Sequence, residues 1–99
     1  TGGHPDLETS LKIIKTIINN GADIIEIGMP FSDPMADGPT IQLSSNRAIS
    51  KGIDLENIFY LAAEAKKIKN DLPIILMGYY NLILYFGIKK FVKKCKENG

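Results

Sequence analysis

The chain has 99 residues, a formal net charge of +1 and an ordinary globular composition, with 44% hydrophobic and 23% charged residues. This length allows at most one domain with a modest core, and the near-neutral charge argues against a dedicated binder of nucleic acids or acidic surfaces. The single cysteine, Cys95, cannot form an intramolecular disulfide, which favours a reducing compartment. No apolar run reaches the length of about 18 residues that predicts a membrane span.

The first third of the chain predicts a helix followed by a buried strand. Asp6 can cap the helix, and Asn20–Gly21 can end it. The apolar stripe of this helix comprises Leu11, Ile14, Ile17 and Ile18. The β-branched run Ile24–Ile27 then predicts a strand that is covered on both faces, as in a parallel sheet.

Two further helices are expected after a proline-rich loop, which runs from Pro30 to Pro39. Pro39 is a favourable first helical residue, and its helix should run to about Ser50 and close at Gly52. Asp54 can cap the next helix. The apolar positions of that helix, at intervals of three and four, are Leu55, Ile58, Phe59, Ala62, Ala65 and Ile68.

The last third predicts a second strand and a terminal helix. The strand is Pro73–Met77, a short turn over 81–87 follows it, and Gly99 would end the helix. The inward positions of this helix are Ile88, Phe91, Val92 and Cys95, with lysines outward. The order α-β-α-α-β-α indicates β/α units on a parallel sheet. Because two apolar strands need further neighbours, we expect a piece of a larger α/β protein, either a closed barrel or an open doubly wound sheet.

Glu26 is the most informative residue because it interrupts an apolar strand. A carboxylate inside a strand core is costly unless it is paired or used in chemistry. Alternation puts Glu26 on the face opposite Ile25 and Ile27. In a barrel one face of each strand points inward, and Glu26 lies near the end of the strand where barrels hold their active sites. Burial there would favour its protonated form and suit it to acid/base catalysis near neutral pH. The alternative is a structural glutamate, buried in an ion pair with a basic residue.

Asp37 is a second candidate acid, in the loop that follows the strand. Its alternative is a turn aspartate bonded to its own backbone. Tyr79 directly follows the second strand. It could line the opening of the same site at the strand ends, or it could serve only in packing. His4 has no second His or Cys at ligand spacing, and Cys95 lies among apolar residues as a core side chain. The sequence therefore predicts no metal site.

The stretch from 25 to 42, Ile-Glu-Ile-Gly-Met-Pro-Phe-Ser-Asp-Pro-Met-Ala-Asp-Gly-Pro-Thr-Ile-Gln, closely resembles the signature of the tryptophan synthase alpha subunit family. The resemblance continues through 46–48, Gly52, 76–81 and 86–87, and it covers essentially the whole chain. It implies that residues 1–99 are one partial domain of a (β/α)8 TIM barrel, holding about the second and third strands with their flanking helices. A barrel of this kind has roughly 250 residues.

The resemblance also implies an activity. The family cleaves indole-3-glycerol phosphate to indole and glyceraldehyde 3-phosphate by a retro-aldol reaction in tryptophan biosynthesis, without a metal or organic cofactor in this subunit. By resemblance, Glu26 is the general acid/base that protonates indole C3 and helps to remove the glycerol hydroxyl proton. Asp37 accepts the indole N–H and stabilises positive charge on the ring, while Tyr79 and Thr1 correspond to residues of the substrate pocket.

The partner that the resemblance implies is a beta subunit that carries pyridoxal phosphate. The two subunits would form an alpha2-beta2 tetramer. This tetramer is expected in the cytoplasm, or in a plastid if the source is an alga or plant. Asp33 corresponds to the residue that meets a lysine of that partner, and Asn81 lies at the same interface. The loop 30–39 corresponds to a mobile loop that orders on substrate binding. Because the family's glycine-rich phosphate loops belong to later strands, we expect the 99-residue piece alone to be inactive and aggregation-prone at its open strand edges.

Two other functions stay open at this point. The chain could be a non-catalytic interaction module that keeps the loop and the Asn81 surface for a beta-type partner. A pure binding surface, however, has no need for Glu26 inside a strand. The second alternative is another phosphate-sugar barrel enzyme with a similar strand and loop.

Overall fold

Five helices and a two-stranded parallel sheet make up the computed structural model, which describes residues 1–99. The elements in chain order are α1 (Leu7–Asn19), β1 (Ile25–Gly28), α2 (Pro39–Ser50), α3 (Leu55–Ile68), β2 (Ile74–Met77), α4 (Tyr80–Phe86) and α5 (Ile88–Asn98). Each strand is followed by helices before the next element of the sheet, so the predicted β/α organisation is confirmed.

The predicted helix boundaries are confirmed by their capping hydrogen bonds. The Asp6 carboxylate accepts a 2.8 Å hydrogen bond from the Thr9 amide at the start of α1. At the start of α3, Asp54 and Asn57 each accept a 3.0 Å bond from the other's amide through their side chains, which satisfies two otherwise unpaired N–H groups. Pro39 is the first residue of α2.

The two strands have one covered and one open face. Ile25 and Ile27 of β1 are buried, and their register partners on β2 are half-buried. On the opposite face, Ile75 and Met77 are 48% and 58% exposed. The helices of this chain pack against a single face, so the open face lacks the further neighbours that two apolar strands were expected to need.

The core lies between the covered face of the sheet and helices α1 and α3. Ile58, Leu61 and Leu72 are its largest fully buried side chains. The other apolar members are Ile14, Ile18, Ile25, Ile27, Met29, Ala48, Ile53, Ala62 and Ala65. Leu61 was outside the predicted stripe of α3, whereas Ile68, which was inside it, is 38% exposed.

Helix α4 corrects the predicted turn over 81–87. Leu82, Ile83 and Phe86 are half-buried and share one side of a helix. The first two pack against the core and the third packs on neighbouring phenylalanine rings, so packing favours a helix here over a turn. It ends at Gly87, whose φ of +97° is a conformation that favours glycine.

Aromatic and ionic contacts hold α5 to the preceding helices. The rings of Phe59, Phe86 and Phe91 form a cluster with centroid separations of 5.5 to 6.4 Å. The Glu56 carboxylate pairs with Lys94 at 2.8 Å and with Lys90 at 3.1 Å. These contacts fix the helix pair that follows β2.

Several predicted inward positions are exposed. Ile17 of α1 is 46% exposed, and Ile88 and Val92 of α5 are 46% and 60% exposed. Their helical faces have apolar character but no element of this chain packs on them. None of the helices is long and apolar enough to cross a membrane.

Candidate active site at the carboxyl ends of the strands

The residues that follow the two strands meet at one edge of the sheet. The Met29 amide donates a 2.7 Å hydrogen bond to the Met77 carbonyl. Met29 directly follows β1, and Met77 is the last residue of β2. The Gly2 amide donates a 2.8 Å bond to the Gly28 carbonyl, which brings the chain start to the same edge. Such an edge is where open and closed α/β sheets place their ligand sites.

A cleft of about 410 Å³ opens at this edge. Four of the six predicted site residues line it: Thr1, Glu26, Asp37 and Tyr79. The remaining lining residues are Gly28, Met29, Phe31, Ala36, Ile41, Ser45, Met77 and Gly78. The structure thus brings together both candidate acids, although they belong to different elements.

Glu26 is exposed, so the predicted burial is wrong for this chain. It projects from the open face of β1, where no helix covers it. No ion pair of the chain involves Glu26, and the alternative of a buried structural ion pair therefore has no support. Its carboxylate is available to a ligand in the cleft.

Asp37 is half-buried at the tip of the loop between β1 and α2. Its Oδ2 accepts a 3.2 Å hydrogen bond from the Tyr79 hydroxyl. Its amide donates to the Pro34 carbonyl at 3.0 Å, and its own carbonyl accepts a 2.8 Å bond from the Gln42 side chain. The backbone of Asp37 forms the turn, whereas its carboxylate bonds across the cleft. The interpretation of Asp37 as a self-bonded turn aspartate is therefore wrong.

Tyr79 combines packing with hydrogen bonding. Its ring lies 5.1 Å from the Phe31 ring, centroid to centroid. Its hydroxyl accepts a 2.9 Å hydrogen bond from the Ala36 amide in addition to donating to Asp37. Both proposed roles, pocket wall and packing, are therefore compatible with its contacts.

The three other predicted site residues occupy different surroundings. Thr1 is exposed at the rim of the cleft, with its Oγ1 2.6 Å from the Ser44 hydroxyl. Asp33 is exposed on the loop and accepts a 2.6 Å bond from Ser32. Asn81 lies on α4 outside the cleft, in a separate groove.

This second groove has a volume of about 670 Å³ and is mainly apolar. It lies between the start of the loop, the end of α2, the beginning of α3, and α4. Its lining residues are Pro30, Phe31, Ser32, Ile49, Ile53, Asp54, Leu55, Glu56, Asn81, Leu82, Tyr85 and Phe86. Tyr85 is 96% exposed at its edge. Phe31 contributes to both the groove and the cleft.

The sequence did not predict two polar residues, one that lines the cleft and one that supports it from outside. Gln42 braces the Asp37 carbonyl, and Ser45 is a buried hydroxyl residue in the cleft wall. Ser45 follows Ile41 by one helical turn, so both residues share a face of α2 with the buried Ala48. That spacing was the available signal.

Cys95 is half-buried and does not belong to the buried core, so its predicted place as a core side chain is wrong. Burial raises the pKa of the half-buried Cys95 thiol, which lowers its reactivity. No group of three or more His, Cys, Asp or Glu side chains is arranged to hold a metal ion.

Parallel β/α units, with two carboxylates and a tyrosine in a cleft at the carboxyl ends of the strands, make this chain a fragment of a TIM barrel. The chain belongs to the tryptophan synthase alpha chain family, whose characteristic pattern matches residues 1–99. The resemblance inferred from the signature is confirmed, and it decides between the barrel and the doubly wound sheet.

Individual relatives agree over the whole chain. It is 48% identical over 99 residues to the tryptophan synthase alpha chain of Thermoanaerobacter pseudethanolicus and 53% identical to that of Geotalea uraniireducens. These alignments cover 100% of this chain and 37% of each relative. The crystal structure of tryptophan synthase subunit alpha from Legionella pneumophila matches with a TM-score of 0.93 and 36% identity, over 99% of this chain and 37% of that one.

Proposed function

We propose that this chain carries the acid/base part of a lyase site that cleaves indole-3-glycerol phosphate to indole and glyceraldehyde 3-phosphate. The observation that carries the proposal is the single cleft that gathers Glu26, Asp37, Tyr79 and Thr1, in a chain of the tryptophan synthase alpha family. Because the chain spans about 37% of the length of its relatives, the activity is proposed for a whole alpha chain that contains it.

The chemistry divides between the two carboxyl groups. Protonation of indole C3 by Glu26 places positive charge on the ring nitrogen. The Glu26 carboxylate left by that step then takes the proton of the hydroxyl on the adjoining glycerol carbon, and the carbon–carbon bond breaks. The electron pair of that bond returns to the ring, and the glycerol carbon leaves as the aldehyde. Asp37 accepts the ring N–H and stabilises the positive charge while it exists.

The surroundings of both carboxylates fit these roles. Glu26 makes no ion pair, so a ligand does not have to displace a cation to reach it. Asp37 uses Oδ2 to bind Tyr79, and no hydrogen bond within the chain involves its Oδ1. One carboxylate oxygen is therefore free to accept an N–H from an aromatic ring that lies in the cleft.

The substrate phosphate needs groups from outside this chain. None of the 12 residues that line the cleft is a lysine or an arginine. Remote phosphate binding supplies energy that positions a reacting centre. We therefore propose that residues 1–99 alone are inactive and that the phosphate is held by later segments of the alpha chain.

The second groove supports the proposal of a beta subunit as partner. It is apolar, is larger than the cleft and contains Asn81 together with the exposed Tyr85. Asp33 projects from the adjoining loop, where it could meet a lysine of the partner. We keep the alpha2-beta2 assembly, pyridoxal phosphate in the partner, no cofactor in this subunit and a cytoplasmic (or, in an alga or plant, plastid) location as predictions.

The proposal is tested with a grafted alpha chain, in which residues 1–99 replace the matching 99 residues of the Geotalea uraniireducens relative. Indole release from indole-3-glycerol phosphate is followed by absorbance or by extraction. We expect turnover within about tenfold of the unmodified relative, since the backbone and both acids are retained. A folded graft with no indole release above background would contradict the proposed activity.

An interaction module without chemistry is the second candidate, and the size of the groove is the observation that favours it. It predicts that the grafted alpha chain raises the activity of a beta subunit while Glu26→Gln and Asp37→Asn variants do so equally and the graft itself releases no indole. Titration of the beta subunit with each graft separates the two candidates.

A further inference from the structure

The loop between β1 and α2 is fastened to the end of β2 by one side chain. The Tyr79 ring packs on Phe31 at the start of the loop, with 5.1 Å between centroids. At the tip of the loop, the Tyr79 hydroxyl accepts from the Ala36 amide at 2.9 Å and bonds Asp37 Oδ2 at 3.2 Å. The two hydrogen bonds join positions 43 and 42 residues apart in the chain.

The direction of these hydrogen bonds is fixed by simple counting. A phenol has one hydrogen to donate and lone pairs with which to accept. Because the Ala36 amide can only donate, the Tyr79 hydroxyl accepts that bond, and its own hydrogen points to the Asp37 carboxylate. At 3.2 Å the second bond is longer than the 2.9 Å bond from the Ala36 amide, so the backbone contact is the shorter of the two fastenings.

A second brace acts on the same residue from the other side. The Gln42 side chain on α2 donates a 2.8 Å hydrogen bond to the Asp37 carbonyl. The carboxylate is thus held through Oδ2, and the backbone of the same residue is held through its carbonyl. The unpaired Oδ1 is left as the oxygen that can meet a ligand.

We propose that Tyr79 is a positioning residue, which holds the loop tip and directs Asp37 Oδ1 into the cleft. Gln42 assists by holding the backbone carbonyl of Asp37. This inference rests on the proposed function for its effect on the reaction, whereas the loop clamp itself does not. This positioning role differs from a role as pocket wall because it depends on the Tyr79 hydroxyl, whereas a pocket wall needs only the ring.

Two substitutions separate the hydroxyl from the ring. Tyr79→Phe keeps the stacking on Phe31 and removes both hydrogen bonds at the loop tip. Tyr80→Phe makes the same chemical change at the next position, whose exposed side chain takes part in no hydrogen bond of the chain. Both variants are made in the grafted alpha chain, and circular dichroism checks that each is folded.

For Tyr79→Phe we expect kcat to fall about 10- to 100-fold with KM changed less than about threefold, because Asp37 stabilises charge that develops after binding. Tyr80→Phe should match the parent. Adding Asp37→Asn to Tyr79→Phe should lower kcat little beyond Asp37→Asn alone, since a residue that acts through another is not additive with it. Equal kcat in Tyr79→Phe and parent, or full additivity with Asp37→Asn, would overturn the positioning role.

Hydrogen exchange of the Ala36 amide gives a readout that does not depend on turnover. We expect its exchange to be at least about tenfold faster in Tyr79→Phe than in the parent or in Tyr80→Phe. Unchanged exchange would overturn the clamp, even where kcat falls. If the parent graft releases no indole, the proposed function fails and exchange alone decides the clamp.

Gln42→Met is the second variant if Tyr79→Phe does not fold. It removes the donor to the Asp37 carbonyl at similar side-chain size. The same pattern, lower kcat with near-constant KM and non-additivity with Asp37→Asn, is expected. A Gln42→Met enzyme that equals the parent in kcat would overturn the two-sided brace.

Discussion

Glu26 and Ile75 are register partners in the parallel sheet, one on β1 and the other on β2. Side chains of register partners in a parallel pair project to the same face, and this face is open, with Ile75 48% exposed. A carboxylate and a large apolar side chain thus share the open face of the sheet, and the carboxylate lines the cleft. In a closed barrel this surface is the interior, so Ile75 would lie beside Glu26 in the interior of the barrel.

Ile75→Ala tests whether the open face becomes an interior. In the grafted alpha chain we expect a loss of about 2–5 kcal/mol in the free energy of unfolding, as for a buried large-to-small change. Leu72→Ala, at a fully buried position, is the reference. Urea unfolding measures both variants, and a loss below about 0.5 kcal/mol for Ile75→Ala, typical of surface positions, would show that the face stays open.

Gly2→Ala tests the close packing where the chain start meets β1. A Cβ at Gly2 would lie 2.6 Å from Ile58 Cδ1 and 2.9 Å from Ile27 Cγ2. Because Ile58 is fully buried, the clash has little room to relax, and we expect the graft to lose about 1–3 kcal/mol of unfolding free energy. Gly38→Ala is the control, since no atom lies within 4 Å of its added Cβ. Equal melting temperatures for the two variants would contradict this packing.

The Glu56 pairs predict an acid dependence of stability. Hydrogen bonds from Lys94, and then from Lys90, lower the pKa of Glu56 in the folded chain. A folded pKa below the unfolded one stabilises the fold above the unfolded pKa, and this stabilisation is lost as the pH falls through the folded pKa. We therefore expect Glu56→Gln to reduce the loss of stability below about pH 4.

Thermal unfolding of the graft at pH 7 and pH 3 measures this effect. Asp71→Asn is the control, because Asp71 is exposed and takes part in no ion pair. The quantity compared is the drop in melting temperature from pH 7 to pH 3. If Glu56→Gln and Asp71→Asn change this drop equally, the Glu56 pairs do not contribute to it.

Asp37→Asn should slow the reaction without preventing binding. The amide keeps the size of the side chain but loses the negative charge that stabilises the protonated ring. We expect kcat in the graft to fall about 10²-fold, the scale of losing one preorganised electrostatic contact. Asp23→Asn is the matched control, at an exposed carboxylate before β1 with no partner in the chain. Near-equal kcat for the two variants would remove Asp37 from the mechanism.

The sequence predicted the local structure well where local chemistry decides it. Asp6, Pro39 and Asp54 begin their helices as expected because capping depends on neighbouring residues. The two strands shift by one residue at most from their predicted starts. The turn predicted over 81–87 is wrong because the packing of Leu82 and Ile83 against the core outweighs the turn signals.

The sequence predicted four of the residues that line the cleft, but it did not predict the hydrogen bonds between them. Glu26 and Asp37 stand out from strand pattern and signature alone, and the structure places both in one cleft. The bond from Tyr79 to Asp37 joins residues 42 positions apart, and no local pattern encodes such a distance. The burial expected for Glu26 depends on neighbours outside residues 1–99, so it could not be judged from the strand itself.

The measurement that tests the central claim most directly is the rate of indole release by the Glu26→Gln graft. An amide cannot exchange the proton that C3 and the glycerol hydroxyl require, so we expect kcat to fall by at least about 10²- to 10⁴-fold. Glu8→Gln, at an exposed surface pair with Lys12, should match the parent graft. A Glu26→Gln rate near that of the parent would contradict the account of this cleft as an acid/base site.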